Sequence, residues 1–150
     1  MSIVACFLAR LIGSDCWDAI YANAEVLQLE FGDHVTRSSL RGRTIEVGSQ
    51  GLSVWCRWHV LTTSADLIDS EDPQVYDALE LLKSRLTALV VSSASDELRL
   101  NFESGASLVV CPLPGARPED ELVEYFGEGV VAVLRGDGVT VSASRVSGDA

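Results

Sequence analysis

A chain of 150 residues has room for one domain, burying roughly 70% of its extended surface on folding. With 47% hydrophobic residues, 22% charged residues and only four prolines, a disordered or low-complexity chain is excluded. Twenty-two acidic against 11 basic residues leave a net charge of −11, which disfavours non-specific attraction to nucleic acid or anionic lipid and suits a basic partner.

The first element expected is a helix over Val4 to Ile12, where Val4, Phe7, Leu8, Leu11 and Ile12 form one apolar stripe and Gly13 stands just past its end. The apolar run Ile3 to Ala9 lacks the preceding Lys or Arg of a secretory leader. No stretch approaches the roughly 20 apolar residues of a membrane-spanning helix, so the cytoplasm is the expected compartment and no membrane partner is expected. Leu27, Leu29 and Phe31 then alternate with polar residues, the period of a half-buried strand. A third strand is expected at Val54-Trp55-Cys56.

A second helix is expected from Pro73 to Ser84. Asp72 can cap it, Pro73 suits its first position, and Val75, Tyr76, Leu79 and Leu82 form its stripe. Leu98, Leu100 and Phe102 repeat the alternation of the first strand. Pro112, Pro114, Gly115 and Pro118 mark a loop, Glu119 to Phe126 reads as a short acidic helix, and strands are expected at Val130 to Leu134 and Val139 to Ala143 around a Gly136-Asp137-Gly138 turn. The tail from Ser144 to Ala150 is expected to be loose.

Laid against itself at an offset of about 70, the chain repeats. Leu11-Ile12-Gly13-Ser14 falls on Leu81-Leu82-Lys83-Ser84, and Leu27-Gln28-Leu29-Glu30-Phe31 falls on Leu98-Arg99-Leu100-Asn101-Phe102. Val54-Trp55-Cys56 falls on Val109-Val110-Cys111 at an offset of only 55, so the first copy carries about sixteen extra residues. The expected architecture is a single α+β domain over 1–143. It comprises two helix-plus-antiparallel-β repeats, at about 3–61 and 73–113, and a C-terminal helix and hairpin at 119–143.

This pattern resembles a group of small bacterial proteins in which an "LIG" segment and an "LxLxF" strand recur twice. The residues carrying the resemblance are Leu11-Ile12-Gly13, Leu27 to Asp33, Leu81-Leu82 and Leu98 to Phe102. The resemblance implies a compact α+β domain without enzymatic activity, of the sort found as immunity partners of bacterial toxins. Lys83 in place of Gly13 and the insertion in the first copy depart from a clean duplication.

No set of nucleophile, base and oxyanion donors stands out, so catalytic residues and cofactors are expected to be absent. Cys6, Cys16, Cys56 and Cys111 match no CxxC pair or disulfide framework and read as reduced, buried residues. Cys56 and His59 have the spacing of a zinc half-site, but residues three apart on a strand point to opposite faces and no second pair follows, so no metal is expected. Charge is more informative. Segment His34 to His59 holds Arg37, Arg41, Arg43 and Arg57 against Glu46, a net of +3 on a remainder of −14. Arg41 and Arg43 could act as a pair on one strand face, either binding an acidic group or screening the chain's own acids. Asp66, Asp69, Glu71 and Asp72 form one acidic cluster, and Glu119, Asp120, Glu121, Glu124 and Glu128 another.

Tyr125 beside the second cluster, and Trp55 on the third strand, are candidate aromatic anchors, whereas Phe126 reads as core. Together these acids, arginines and aromatics make up the expected partner-binding surface. It points to an immunity- or antitoxin-like inhibitor of a basic bacterial effector; the alternative is a structural or regulatory subunit of a bacterial defence or secretion assembly.

Overall fold

The computed structural model describes residues 3–22, 26–38, 41–92, 97–111, 120–127, 129–135 and 138–143. Along them run α1 (Ile3–Leu8), β1 (Cys16–Ala22), β2 (Val26–Ser38), β3 (Thr44–Val54), β4 (Arg57–Leu61), β5 (Leu67–Asp69), α2 (Val75–Glu80), β6 (Leu86–Val91), β7 (Leu98–Phe102), β8 (Ser107–Cys111), β9 (Glu121–Gly127), β10 (Val130–Arg135) and β11 (Gly138–Ala143). The strands form two antiparallel sheets, β1-β2-β3-β9-β10-β11 and β5-β4-β8-β7-β6. The expected α+β class is therefore corrected: the fold is mostly β, and its described helices are two six-residue segments and a short 3-10 turn, Ala9–Leu11.

Alternation builds both meanders. Leu27, Leu29 and Phe31 on β2, and Leu98, Leu100 and Phe102 on β7, are all buried on the face that each sheet turns toward the other. One continuous core joins them, with the Phe31 and Phe102 rings stacked at 6.4 Å between centroids and Tyr21 meeting Trp58 edge-on at 5.3 Å.

The two meanders share their registers. Cys16 faces Phe31 and Leu86 faces Phe102, each beside a β-bulge, while Leu29 lies between Ala19 and Leu52 as Leu100 lies between Leu89 and Leu108. The third strands align as Val54 with Val110, each opposite the matching leucine, Leu27 or Leu98. The offset there is 56 rather than 55. Fifteen residues, not about sixteen, are thus inserted in the first copy. The correspondence continues further than the sequence suggested: β4 pairs with β8 as β9 pairs with β3, and β5 extends β4 as β10 extends β9. Each meander is completed by strands that follow the other one in the chain.

Where the units meet, the Cys16 N–H donates to the Ser84 carbonyl (2.9 Å) and the Leu86 N–H donates to the Ser14 carbonyl (3.0 Å), flanking an isolated bridge between Asp15 and Arg85. Sites 70 apart in sequence are thus directly opposed. This junction explains why α2 is shorter than the expected Pro73 to Ser84. The Asp72 carboxylate accepts the Gln74 N–H (2.8 Å) in the turn before α2 but does not cap it, since Gln74 is the first flanking residue. After Glu80 the chain leaves the helix in tight turns that bring the Ser84 carbonyl to Cys16. Gly13 after the first helical segment has φ +89°, a value that favours glycine. α1 touches β6 and β10, and α2 touches β1 and β5, so each helix spans both sheets and covers a flank of the core.

The expected helix at Glu119 to Phe126 is also overturned: Glu119 lies outside the described residues, and from Glu121 onward the stretch is β9, a central strand between β3 and β10. Its Val, Tyr and Phe suit a strand, and the edge of β3 over Gln50–Val54 requires one. The Pro112–Pro118 loop, Gly136-Asp137 and the Ser144–Ala150 tail lie outside the described residues. No helix among the described residues is long and apolar enough to cross a membrane.

On the outer face of β9 the Phe126 ring lies on Gly51 of β3, where any Cβ would overlap it. Gly51→Ala should lower the thermal midpoint, at a cost of about 1–3 kcal/mol from overpacking. Thermal unfolding of Gly51→Ala, Phe126→Ala and the double variant checks this, because removing the ring should abolish most of the penalty of the added methyl.

Candidate functional site

Three surfaces hold the residues singled out from the sequence, and the fold keeps them apart on separate elements. The first is the acidic stretch 66–80. Between Arg57 and Lys83 the chain has no Lys or Arg, and Asp66, Asp69, Glu71, Asp72, Asp77 and Glu80 all fall within it. Asp66, Asp69 and Glu71 are exposed around β5, and Asp72 is partly exposed. The Asp69 carboxylate accepts the Glu71 N–H (3.0 Å), and the Thr62 hydroxyl accepts the Asp66 N–H (3.2 Å), so the loop carrying these acids is held by local hydrogen bonds. Two large apolar side chains stand in the same stretch: Tyr76 is 66% exposed and Leu67 62%.

Tyr76 is a correction to the expected helix stripe. The buried face of α2 is Val75, Ala78 and Leu79, continued by Leu82 beyond its end, and Tyr76 turns away from it. Sequence periodicity grouped it with the apolar residues because Val75 and Tyr76 are adjacent and either can begin an i, i+3, i+4 series. An aromatic residue out of phase with Ala78 was the available signal.

The second surface is that of β9, and here the fold changes the reading. Glu119 and Glu128 lie outside the described residues. Glu121 pairs with Arg135 (3.3 Å), and Glu124 is half-buried on the outer face of a central strand. Burial pushes the Glu124 carboxyl above its usual 4.5, and Glu121 adds to the shift while Arg135 opposes it. Asp120 is only partly exposed. The expected anchor Tyr125 is fully buried, with its hydroxyl donating to Gln50 Oε1 (2.8 Å) and its ring 5.9 Å from that of Phe7. Phe126, expected as core, is the partly exposed one of the pair. The assignments reverse because a strand, unlike a helix, sends adjacent residues to opposite faces.

The third surface is the insertion. β2 and β3 run on past the sheet as a two-stranded arm in which Val35 pairs with Val47 and Arg37 with Ile45. Its base is held by three interactions. The Trp17 and His34 rings stack at 3.9 Å, His34 meets Glu46, and Glu30 Oε2 accepts the Gly48 N–H (3.2 Å). Glu30 is only 4% exposed, although its place in the alternation predicts a solvated residue; it sits next to the irregularity in the β2–β3 ladder between Phe31 and His34, and Gln28 Nε2 donates to its other oxygen (3.1 Å). Arg41 and Arg43 are exposed, but they precede β3 in the connection rather than sharing a strand face. Trp55, between β3 and β4, is 46% exposed, whereas Trp58 is buried in the core.

The remaining chemistry is spread over an open sheet face. His59 lies opposite Asp69 and Val109, and burial lowers its pKa below the usual 6.5 while Glu97 opposes that shift. The Cys111 thiol approaches Glu97 Oε1 (3.9 Å), and burial raises its pKa with Glu97 reinforcing the change. Burial also pushes Cys16 up to about 12 and Cys56 up to about 11, so these three thiols stay protonated at neutral pH and none is an activated nucleophile. Cys6 is exposed and Cys111 partly so, which corrects the expectation of four buried cysteines. Among the described residues no group of three or more His, Cys, Asp or Glu is placed to hold a metal ion. No protein-family model, curated protein or solved structure matches the chain.

Glu124 offers a direct check on the β9 surface. Its folded-state pKa is raised, so between 4.5 and that value the folded form binds more proton than the unfolded form, and stability falls as pH rises through the window. Glu124→Gln should therefore raise the thermal midpoint at pH 7 and change it little well below pH 4.5, where both states hold the proton. Unfolding scans across pH, with the shift vanishing toward acid, are the measurement.

Proposed function

We propose that this chain acts by binding rather than by catalysis, in the cytoplasm, as an immunity- or antitoxin-like inhibitor of a basic bacterial effector protein. The observation that carries this reading is the acidic stretch 66–80, where Leu67 and Tyr76, the two most exposed large apolar side chains among the described residues, stand among six carboxylates of which Glu80 pairs with Lys83 (2.9 Å). A net charge of −11 steers a basic protein toward it and speeds encounter. Tyr76 then supplies the kind of aromatic anchor that dominates binding hot spots. The site is rigid where it needs to be: Ile68, Val75 and Leu79 are buried directly beside the exposed residues, so the acids are displayed from packed elements.

The β9 acids have a smaller part in this proposal. Glu121 is engaged by Arg135 and Glu124 is half-buried, so charge there serves the sheet as well as any partner.

The probe is the protein encoded by the reading frame adjacent to this one, immobilised for surface plasmon resonance, and the reading requires it to be basic. Wild type should bind with an association rate that falls steeply with ionic strength. Asp66→Lys with Asp69→Lys should slow association at least tenfold, and Tyr76→Ala should speed dissociation, while circular dichroism stays unchanged. Affinity indifferent both to salt and to these substitutions would overturn the reading and favour the subunit alternative, in which apolar contact dominates.

A further inference from the structure

The second meander turns from β7 to β8 through residues 103–106, whereas the first takes fifteen residues more and spends them on the arm. The arm completes neither sheet. β1 pairs with β2 only as far as Phe31, and β9 pairs with β3 only from Gln50 onward, so beyond those points the described strands pair only with each other. Val35, Val47 and Ile45 share one face by register, and Val35 and Ile45 are 39% and 43% exposed. Residues 37–43 add Arg37, Arg41 and Arg43 with no carboxylate, a charge of +3 on a remainder of −14. The fold does not require such a feature, since its counterpart closes without one, and an exposed β-branched face on an open two-stranded arm is a ready contact.

We propose that the arm docks on a second copy of this chain, setting Arg41, Arg43 and its Val35–Ile45 face against the acidic stretch 66–80 of that copy. Charge complementarity selects this occupant. The arm needs an acidic surface carrying exposed apolar groups, and the stretch with six carboxylates, Leu67 and Tyr76 meets both requirements. Nucleic acid would satisfy the arginines, but its phosphates would be repelled by the −14 of the remainder. Each copy gives one arm and receives one, and with both contacts made to the same partner they close a two-fold dimer. The dimer covers the stretch assigned above to the basic effector, so the effector would have to displace the arm. The arm contact itself does not rest on that assignment.

Sedimentation velocity on the full chain alone tests this apart from any effector. Wild type should form a dimer at low salt that dissociates as salt is added. Arg41→Glu with Arg43→Glu should be monomeric, as should Asp66→Lys with Asp69→Lys and Glu71→Lys; all five sites are exposed, and circular dichroism checks the fold. An equimolar mixture of the two variants should regain the dimer, because each reversed arm then faces a reversed stretch. A wild type that stays monomeric up to high micromolar concentration, a dimer that survives both sets of substitutions, or a mixture that stays monomeric would each overturn the proposal.

Discussion

The junction at Ser14–Cys16 and Ser84–Leu86 is the constraint on which the rest of the fold depends. Its two hydrogen bonds are images of each other under exchange of the halves, Cys16 to Ser84 and Leu86 to Ser14. The pairing holds the first strand of each meander at a fixed place relative to the other, and β2 and β7 follow through matching bulges. The chain reinforces the same corner. Gly32 donates to the Asp15 carbonyl (3.1 Å) and Glu103 to that of Arg85 (2.8 Å), a second matched pair. The bond from the Gly13 N–H to the Leu86 carbonyl (2.8 Å), by contrast, is made on one side alone, since the Lys83 N–H bonds Glu80 instead. From there the inward rows converge, and Phe31 meets Phe102 at the centre of the core. Displacing a row by one residue would turn its leucines to solvent, so the register is specified by burial as well as by hydrogen bonds.

Exchange of the fourth and fifth strands binds the halves more tightly than the core alone would. β3 and β8 would be sheet edges without β9 and β4, and both partners come from the opposite half. Two of the nine strand pairings among the described residues, β3 with β9 and β4 with β8, therefore join strands distant in the chain, and such non-local pairings are the slow kind to form. The short helices fit the same scheme, since each spans the flank between the two sheets and has little surface of its own to bury. Against this framework the inserted arm stands apart as chain that the sheets do not use.

What was legible in the sequence was whatever rested on alternation and on self-similarity. Leu27, Leu29 and Phe31 and their counterparts announce buried strands through period two, and the offset of 70 is the distance across the Asp15–Arg85 bridge. The class was misjudged because two short apolar stripes at helical spacing were given the weight of full helices, and because Glu119 to Phe126 carries acids where a helix would begin. Strand pairing decided that segment, and no local signal shows that Gln50–Val54 has an open edge awaiting it. The same nonlocality hid the equivalence of β4 with β9, whose residues Trp58 and Val60 match Val123 and Tyr125 in position but not in kind. For the candidate surfaces, charge was visible and direction was not. The run of acids at 66–80 could be counted, but whether Tyr76 or Val75 faced the core depended on where α2 lay.

The exchanged strands also bear on what each half would need by itself. A lone five-stranded half would have a third strand with a bare edge and a fourth paired with the fifth alone, and an identical molecule in the mirrored role would satisfy both. The architecture is equivalent to a strand-swapped pair of such halves within one chain. Two halves of a single chain need not be identical, and here one has a longer hairpin while its twin does not.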